Sequence, residues 1–357
     1  MTAPPRVVLL DGGTGHELKR RCVAVDADSP PVGGQTFTGG ALANSTHPAV
    51  VQHLHTEYLA AGARVVTTNT FAVTPWHLAR VLSAHDADAS LDALAEAAGR
   101  NARAAVDSHP GVSSPLVAAC LPPLRDCYSS SDWLVADNSG AASDEARRTY
   151  RRLVHALSPS IDVWLVETAS WVSQALVPCH VTATAGGQKP LWVSWTLRDD
   201  VAIPRPPLLR SGQTLQAACD AIMATGIPVH GWLVNCTCAP VAGSPATLGA
   251  LRSAAAASGA SLIGCSPNGF QQTTSQWLAG ATPDAMAGWA PASEFNADGA
   301  WRPASFAAWG AALADREGGS PAGPRLALGG CCGIGPPHIA ELQGALLPRE
   351  TWTTHVV

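Results

Sequence analysis

The chain has 357 residues, of which 46% are hydrophobic and 14% are charged. It contains 22 Lys and Arg against 27 Asp and Glu, which gives a formal net charge of −5. This length and apolar content are sufficient for a large buried core. An acidic chain without runs of Lys or Arg argues against nucleic-acid binding, which requires clustered cations to neutralise phosphates.

The N-terminal region and the hydropathy pattern carry no membrane signal. No stretch of about 18 apolar residues occurs, so no membrane span is expected. The apolar run Val7–Leu10 is too short for the core of a signal peptide, which predicts a cytoplasmic protein. The 10 cysteines are therefore expected to be reduced thiols. In such a compartment closely spaced cysteines indicate metal binding or catalysis more often than disulfides.

Short apolar runs recur along the whole chain, as is typical of parallel strands that are buried on both faces. Segments with helical features lie between them. Pro48 begins one such segment and Gly62 follows its end, which are the usual boundary residues of a helix. Further helices are predicted over Ser90–Val106 and Ser143–Leu157. The predicted strands are Val7–Leu10, Val65–Thr68, Leu116–Ala119, Val163–Val166, Leu191–Trp195, Trp232–Val234, Leu262–Ile263 and Leu326–Leu328.

Eight strands that alternate with helices predict an α/β fold, a single (β/α)8 TIM barrel over residues 1–357 with loop insertions. The alternative is an open doubly wound sheet, which usually carries a glycine-rich phosphate loop. The chain has neither G-x-G-x-x-G nor G-x-x-x-x-G-K-[ST]. Three segments are predicted to be loops or insertions: Val25–Asn44, Leu121–Ala142 and Cys265–Pro324. The last of these ends in a glycine-rich connector.

Carboxylates follow the first and the fourth predicted strands, where active-site residues of barrel enzymes lie. Asp11 begins the run Asp11-Gly-Gly-Thr14, and Glu167 lies in Val166-Glu-Thr168. Together the two side chains are candidates for binding an ammonium group. Free N–H groups around Gly13 and Thr14 are candidates for holding a carboxylate. Each acidic residue taken alone is better explained as a helix cap or a solvated charge, but their shared position at strand ends favours the pocket.

Polar and aromatic residues supply further candidates. Thr67–Phe71 follow the second strand, where they line a pocket or satisfy loop backbone groups. Trp76, Trp192 and Trp195 are candidates for cation–π contact with a cationic substrate, although most of the 12 tryptophans are expected in the core. The histidines have no metal-binding spacing, and His338 is predicted at the start of the last helix.

The most specific feature is Gly329-Gly-Cys-Cys-Gly333, directly after the last strand. Adjacent side chains of a regular strand point to opposite faces. Cys331 and Cys332 can therefore meet at one centre only where the backbone turns, which the flanking glycines permit. Cys236 ends the sixth strand, which opens on the same face of a barrel. Three thiolates with an open fourth position are typical of a catalytic zinc site.

Two alternatives remain for these cysteines. Cys331 and Cys332 are also compatible with a vicinal redox disulfide, and Cys238 is a second candidate ligand two residues beyond Cys236. We prefer Cys236 because it lies nearer the end of the strand, directly after Asn235. The other cysteines are interpreted as small apolar core residues: Cys22, Cys120, Cys127, Cys179, Cys219 and Cys265.

These motifs resemble the homocysteine S-methyltransferase family over nearly the whole chain. The resemblance implies that Cys236, Cys331 and Cys332 bind zinc. It also implies that Asp11 and Glu167 hold the substrate amino group and that Asn235 lies beside the metal. The matching segments are Leu9–Gly13, His55–Phe71, Leu165–Thr168, Val234–Cys236, Pro267–Gly269 and Gly329–Gly333.

The chain departs from the family pattern in two places. It reads Cys120-Leu-Pro-Pro123 where the family commonly has Ser-x-Gly-Pro, and Phe37-Thr-Gly-Gly40 where Trp-Ser-Ala is more typical. Both segments are expected on loops near the mouth of the pocket. The departures therefore bear on the choice of methyl donor more than on the zinc site.

The resemblance implies one Zn²⁺ per chain, L-homocysteine as methyl acceptor and methionine as product, a step of methionine biosynthesis. The length of the chain favours a small sulfonium donor, S-methylmethionine before S-adenosylmethionine. Alternatives are selenocysteine or another thiol as acceptor, and betaine as donor. An alternative of another class is a catalytically silent zinc-binding barrel that docks a partner through the insertions 121–142 and 265–324. The complete ligand set and the two carboxylates argue against it. The sequence does not indicate an oligomeric state.

Overall fold

Eight parallel strands form one sheet in the order β1-β8-β7-β6-β5-β4-β3-β2. The structure is a computed structural model that describes residues 7–21, 36–110, 115–128, 131–137, 139–199, 206–278, 290–317 and 323–346. The strands are β1 (Val7–Leu9), β2 (Val65–Thr67), β3 (Leu116–Leu121), β4 (Val163–Ala169), β5 (Leu191–Trp195), β6 (Gly231–Cys238), β7 (Leu262–Asn268) and β8 (Arg325–Leu328).

The first and second strands bring the two ends of the sheet together. Leu10 and Val65 form a parallel bridge. The Arg64 amide donates to the Leu9 carbonyl over 2.7 Å, and the Asp11 amide donates to the Val65 carbonyl over 3.1 Å. The predicted (β/α)8 barrel is therefore confirmed.

Helices separate the strands and cover the outside of the barrel. Among the described residues they are α1 (Thr14–Arg20), α2 (Thr36–Thr46), α3 (Pro48–Ala60), α4 (Pro75–Leu78), α5 (Ala84–Asp107), α6 (Trp133–Ala136), α7 (Ala141–Leu157), α8 (Val172–Ala185), α9 (Leu215–Met223), α10 (Ala239–Ala242), α11 (Pro245–Ser258), α12 (Thr274–Leu278), α13 (Pro303–Glu317) and α14 (Pro336–Leu346). In this described part of the chain, no helix is long and apolar enough to cross a bilayer.

Alternate residues of each strand enter two separate cores. In β4, Val163 and Leu165 point into the barrel, whereas Trp164 and Val166 pack against the surrounding helices. Burial on both faces explains why the strands are continuous apolar runs in the sequence. The boundaries of α3 agree with the prediction from Pro48 and Gly62, and Gly62 has a φ of +107°.

The predicted insertions are in part wrong, because all three contain regular structure, including α6 within Leu121–Ala142. Within Cys265–Pro324, β7 continues to Asn268 and α13 occupies Pro303–Glu317. The α13 helix buries Phe306 and Leu313 among alanines and one glycine, so its apolar stripe is weak in the sequence. Within Val25–Asn44, α2 begins at Thr36. Residues 22–35 and 318–322 lie outside the described residues.

Candidate active site

The carboxyl ends of the strands open on a cavity of about 370 Å³. Its position at this end of the barrel is the usual one for the active site of a barrel enzyme. The eight residues that the sequence predicts to bind metal or substrate all line this cavity: Asp11, Gly13, Thr14, Glu167, Asn235, Cys236, Cys331 and Cys332. Residues from β1, β4, β6 and β8 thus meet at one place.

Three thiols form a cluster at one side of the cavity. The Sγ atom of Cys236 lies 3.1 Å from that of Cys331 and 3.9 Å from that of Cys332. All three sulfurs lie within 4.8 Å of one another. Tetrahedral zinc with Zn–S bonds of about 2.3 Å holds its sulfurs roughly 3.8 Å apart. The donor type and the spacing therefore fit a zinc ion that keeps one position open.

Cys238, the second candidate ligand, does not belong to this cluster. Its side chain packs in the outer core between strands and helices, and burial raises the pKa of its thiol to about 12. Cys331 and Cys332 are free thiols. Among the described residues, the group that could hold a metal ion consists of Cys236, Cys331 and Cys332.

Irregular backbone brings consecutive side chains of β4 and β6 to the cavity. The strand register shifts between Val166 and Ala169 in β4 and between Asn235 and Cys238 in β6. Within these shifts Thr168 has a φ of 59° and Cys236 has a φ of 54°. Such left-handed conformations are unusual for residues other than glycine, and they recur at functional sites. As a result Glu167 and Thr168 both line the cavity, as do Asn235 and Cys236.

The side chain of Asn235 connects the two irregular strands. Its Nδ2 group donates to Thr168 Oγ1 over 2.7 Å, and its Oδ1 atom accepts from the Thr168 amide over 3.1 Å. Ser194 Oγ donates to the same Oδ1 atom over 2.7 Å. Nδ2 also lies 3.9 Å from Cys331 Sγ. Asn235 therefore holds the β4 and β6 ends together beside the sulfur cluster.

Two buried carboxyl groups also line the cavity. Burial raises the pKa of Asp11 to about 7, against hydrogen bonds from Thr67, and Glu167 raises it further by repulsion. These bonds run from the Thr67 amide to Oδ2 over 2.7 Å and from Thr67 Oγ1 to Oδ1 over 3.0 Å. Burial likewise raises the pKa of Glu167 to about 7. A cation placed between the two groups would favour the charged form of both.

The Asp-Gly-Gly and Gly-Gly-Cys-Cys-Gly segments pack directly on each other. A side chain on Gly12 would collide with the Ile334 carbonyl, and one on Gly13 would lie 2.5 Å from the Cys331 carbonyl oxygen. The Gly330 amide donates to the Asp11 carbonyl over 3.0 Å. The glycines of the first segment are thus required for the close approach of the cysteine loop.

The amides of Gly13 and Thr14 both have backbone partners. The Gly13 amide donates to the Ile334 carbonyl over 2.9 Å, and the Thr14 amide donates to the Gly12 carbonyl over 3.0 Å. The group that is available is the Thr14 hydroxyl. Its Oγ1 atom is buried and has no hydrogen-bond partner among the described residues. A buried hydroxyl without a partner at a cavity wall indicates a ligand that supplies one.

Two residues that hydrogen-bond to predicted site residues were not identified as part of the site from the sequence. The Tyr128 hydroxyl donates to Cys236 Sγ over 2.9 Å. The Cys120 thiol donates to Glu167 Oε2 over 3.0 Å. Tyr128 follows no motif, so no local signal could have identified it. Cys120 was interpreted as core filler at a loop, yet it lies in β3. Cys120 replaces the serine that is common in the family. This replacement therefore affects the hydrogen bonding of Glu167 rather than the mouth of the pocket.

The hydrogen bonds around Cys236 make it the most acidic thiol of the cluster. Its sulfur shares hydrogen bonds with the thiols of Cys331 and Cys332, the Tyr128 hydroxyl donates to it, and the Arg210 guanidinium lies nearby. Together these groups hold the pKa of Cys236 well below its usual value, against the effect of burial. Burial raises the pKa of the Tyr128 hydroxyl well above its usual value, so this phenol stays protonated and remains a donor.

Only one of the three singled-out tryptophans lines the cavity. Trp76 does so, with the Arg80 guanidinium 3.9 Å above its ring. Trp192 instead fills the barrel interior, and Trp195 packs in the outer core. Their assignment to a cationic substrate was wrong, because Trp192 lies within β5 and Trp195, at the carboxyl end of β5, packs against the surrounding helices instead of the cavity. His338 starts α14 as predicted, and its Nε2 atom lies 2.7 Å from the Trp301 carbonyl oxygen.

Comparison with known proteins gives matches over nearly the whole chain. A family model described as homocysteine S-methyltransferase matches residues 8–346. The metallated form of the homocysteine methyltransferase MmuM from Escherichia coli matches with a TM-score of 0.65 and 22% identity. The oxidized form of MmuM matches with a TM-score of 0.64 and 24% identity. Each match covers 95% of this chain and 96% of the other. At these identities the structural likeness supports the fold.

Proposed function

The chain belongs to the homocysteine S-methyltransferase family, and from this premise we propose that it transfers a methyl group from a small sulfonium to the thiol of L-homocysteine, giving methionine. The observation that carries the proposal is the pairing of two sites in one cavity. Three thiols lie within 4.8 Å of one another, and two carboxyl groups with raised pKa values line the same cavity.

Cys236, Cys331 and Cys332 would hold one Zn²⁺ ion. When bound, zinc supplies Lewis acidity that deprotonates a coordinated thiol, which otherwise has a pKa of about 8.5. The three protein ligands leave one position for the thiol of the substrate. Asn235 supports this arrangement because it connects β4 and β6 and lies 3.9 Å from Cys331 Sγ.

The amino-acid end of homocysteine would lie against Asp11, Glu167 and Thr14. The two carboxylates would bind the ammonium group. Its positive charge would reduce the repulsion between them and offset the cost of burying their negative charges. The unpartnered Thr14 hydroxyl would donate to the substrate carboxylate. Glu167 lies close enough to the sulfur cluster for charge on Cys236 to raise its pKa. One short amino acid can therefore reach both sides.

The methyl transfer itself requires little from the protein beyond placement. The homocysteine sulfur would form a bond to the methyl carbon as the bond from that carbon to the sulfonium sulfur breaks, and the electron pair stays on the donor sulfur as a thioether. Holding both reactants in line is a large part of the rate enhancement in such a reaction. A cavity of about 370 Å³ favours a small donor, S-methylmethionine before S-adenosylmethionine.

Zinc content and methyl transfer measured on the same preparations test the proposal. We expect about one zinc per chain and transfer from S-methylmethionine to homocysteine in the native protein. Both should be lost in Cys331→Ala and retained in the control Cys179→Ala, whose cysteine is buried away from the cavity.

Each other outcome points to a different conclusion. Zinc with transfer only to selenocysteine or another thiol would overturn the acceptor, and turnover of betaine but neither sulfonium would overturn the donor. Zinc without any transfer would indicate the silent barrel. The absence of zinc from freshly reduced protein would overturn the metal site.

A further inference from the structure

A buried ion pair lies behind the sulfur cluster and has no role in the reaction described above. Arg210 Nη2 is 3.4 Å from Asp199 Oδ1, and the two side chains are 7% and 0% exposed. Both residues lie between β5 and β6. Burying two charges is costly, and such pairs are weak contributors to stability. Their position next to Cys236 points to a role at the neighbouring site.

Asp199 is held rigidly by the end of β6 and the start of α12. Its Oδ2 atom accepts from the Cys238 amide over 3.1 Å and from the Thr274 amide over 3.0 Å. Thr274 Oγ1 lies 2.8 Å from the same oxygen. Because fixed backbone groups donate hydrogen bonds to Asp199, this carboxylate holds the Arg210 guanidinium in place.

Arg210 contacts two residues, Thr196 and Tyr128, that each form a hydrogen bond to the proposed metal ligand Cys236. Its Nε group lies 3.4 Å from Thr196 Oγ1, which donates to the Cys236 carbonyl over 3.2 Å. Its guanidinium carbon also lies 5.0 Å from the centre of the Tyr128 ring. A cation over an aromatic face is attracted by the ring. In a phenol it also draws electron density from the oxygen and strengthens the hydroxyl as a donor.

The charge of a loaded site explains why such a donor is needed. Three thiolates and Zn²⁺ carry a net charge of −1, and a bound substrate thiolate makes it −2. In a buried cavity this excess charge is costly unless hydrogen bonds or cations offset it. The Tyr128 hydroxyl donates to Cys236 Sγ over 2.9 Å, and the Arg210 guanidinium lies over the face of the phenol ring.

We propose that Tyr128, supported by Arg210 and Asp199, is a positioning residue that donates a hydrogen bond to the Cys236 sulfur of the metal-loaded site. The bond withdraws charge from that sulfur, so the metal accepts the substrate thiolate more strongly. Groups that hydrogen-bond to metal ligands commonly tune the metal in this way. The inference rests on the proposed function, because it assumes a metal on the three cysteines.

Tyr128→Phe removes the hydroxyl and keeps the ring, and Tyr150→Phe is its matched control. Tyr150 is also buried, but its hydroxyl donates to the Pro122 carbonyl over 2.7 Å. The probe is Co²⁺ loaded in place of zinc, which reports on thiolate ligation through charge-transfer absorption. Titration with homocysteine gives the affinity of the same samples.

In Tyr128→Phe we expect the charge-transfer bands to move to lower energy, because a thiolate without its hydrogen bond is a better electron donor. Homocysteine should bind about 10-fold more weakly, the lower end of the effect of removing such partners. Tyr150→Phe should change neither property. A double variant, Asp199→Asn with Arg210→Met, removes both buried charges together and should shift the bands in the same direction by a smaller amount.

Bands and affinity in Tyr128→Phe that match those of Tyr150→Phe would overturn the inference. A failure of the proposed function alone would give another result. The bands of the native cobalt protein would then not change on addition of homocysteine, but Tyr128→Phe would still shift the bands in the absence of homocysteine, which would uphold the hydrogen bond. Failure of the native protein to bind cobalt would overturn both.

Discussion

Asp11 and Glu167 form the carboxyl side of the cavity and the three cysteines form its sulfur side, and burial acts differently on the two groups. At the carboxyl side burial dominates and raises the pKa of both acids to about 7. At the sulfur side hydrogen bonds from Cys331, Cys332 and Tyr128 outweigh burial and lower the pKa of Cys236. The carboxyl side thus resists charge until a cation arrives, whereas the sulfur side favours one thiolate, that of Cys236, and raises the pKa values of Cys331 and Cys332 well above their usual value.

The difference matches what each side is proposed to receive. A metal site must bind its ion from dilute solution, and a prepared thiolate helps it to do so. A substrate site must also release its ligand. Two carboxyl groups that are partly protonated near neutral pH bind an ammonium group less strongly than two fixed charges would.

Removal of one cysteine from the sulfur side has the largest expected effect on activity. Cys236→Ala should abolish zinc binding and reduce methyl transfer by about 10³-fold or more, because a site with two thiolates is incomplete. Zinc analysis and steady-state rates measure the two losses. Cys238→Ala is the matched control, since this buried cysteine lies two residues away and outside the cluster. Equal losses in both variants would contradict the assignment of Cys236.

Neutralising the carboxyl side should weaken substrate binding without loss of zinc. Glu167→Gln should raise the KM for homocysteine by about 10- to 100-fold, since hydrogen bonds to charged groups contribute about 1.5–3 kcal/mol. Metal content should be unchanged. Glu96→Gln on the exposed face of α5 is the control. An unchanged KM in Glu167→Gln would show that the ammonium group binds elsewhere.

The raised pKa values also predict how stability changes with pH. Between about 4 and 7 the folded protein holds protons on Asp11 and Glu167 that the unfolded chain has released, so these groups lower the free energy of unfolding as pH rises through this window. Buried His55, whose pKa is lowered to about 4, acts in the opposite direction.

A comparison of variants separates these two contributions. Denaturant unfolding of the metal-free native protein and of Asp11→Asn with Glu167→Gln should be measured at pH 5 and pH 7.5. The native protein should lose stability relative to the variant as pH rises, by up to about 1.4 kcal/mol per unit of pKa shift. Parallel pH dependences of native protein and variant would refute the raised pKa values.

The smallest expected effect comes from Cys120, which links the carboxyl side to β3. A thiol is a weak donor, so Cys120→Ser should give Glu167 a stronger hydrogen bond and favour its charged form. We expect the KM for homocysteine to fall by about 3-fold, in line with a change of roughly 0.5–1 kcal/mol for one hydrogen bond. Kinetics at pH 6.5, below the raised pKa of about 7, give the clearest difference. A rise in KM would indicate that the thiol itself contacts substrate.

The strands and the cysteine ligands were open to prediction because their signals are local. A strand that is buried on both faces is a continuous apolar run, and all eight strands were located in this way, although β3, β4, β6 and β7 extend further than predicted. Gly329–Gly333 combines adjacent cysteines with the glycines that let the backbone turn. In contrast, α13 was predicted to be loop because alanines and a glycine dilute its apolar stripe.

The sequence by itself determined the barrel and the residue types that meet at its open end, because burial on two faces and backbone turns are encoded within a few consecutive residues. Only the tertiary structure decided which side chains complete the site. Tyr128 lies 108 residues from Cys236, and Thr67 lies 56 residues from Asp11. Hydrogen bonds between such distant residues leave no periodicity in the chain, because they depend on where the closed barrel brings its loops together.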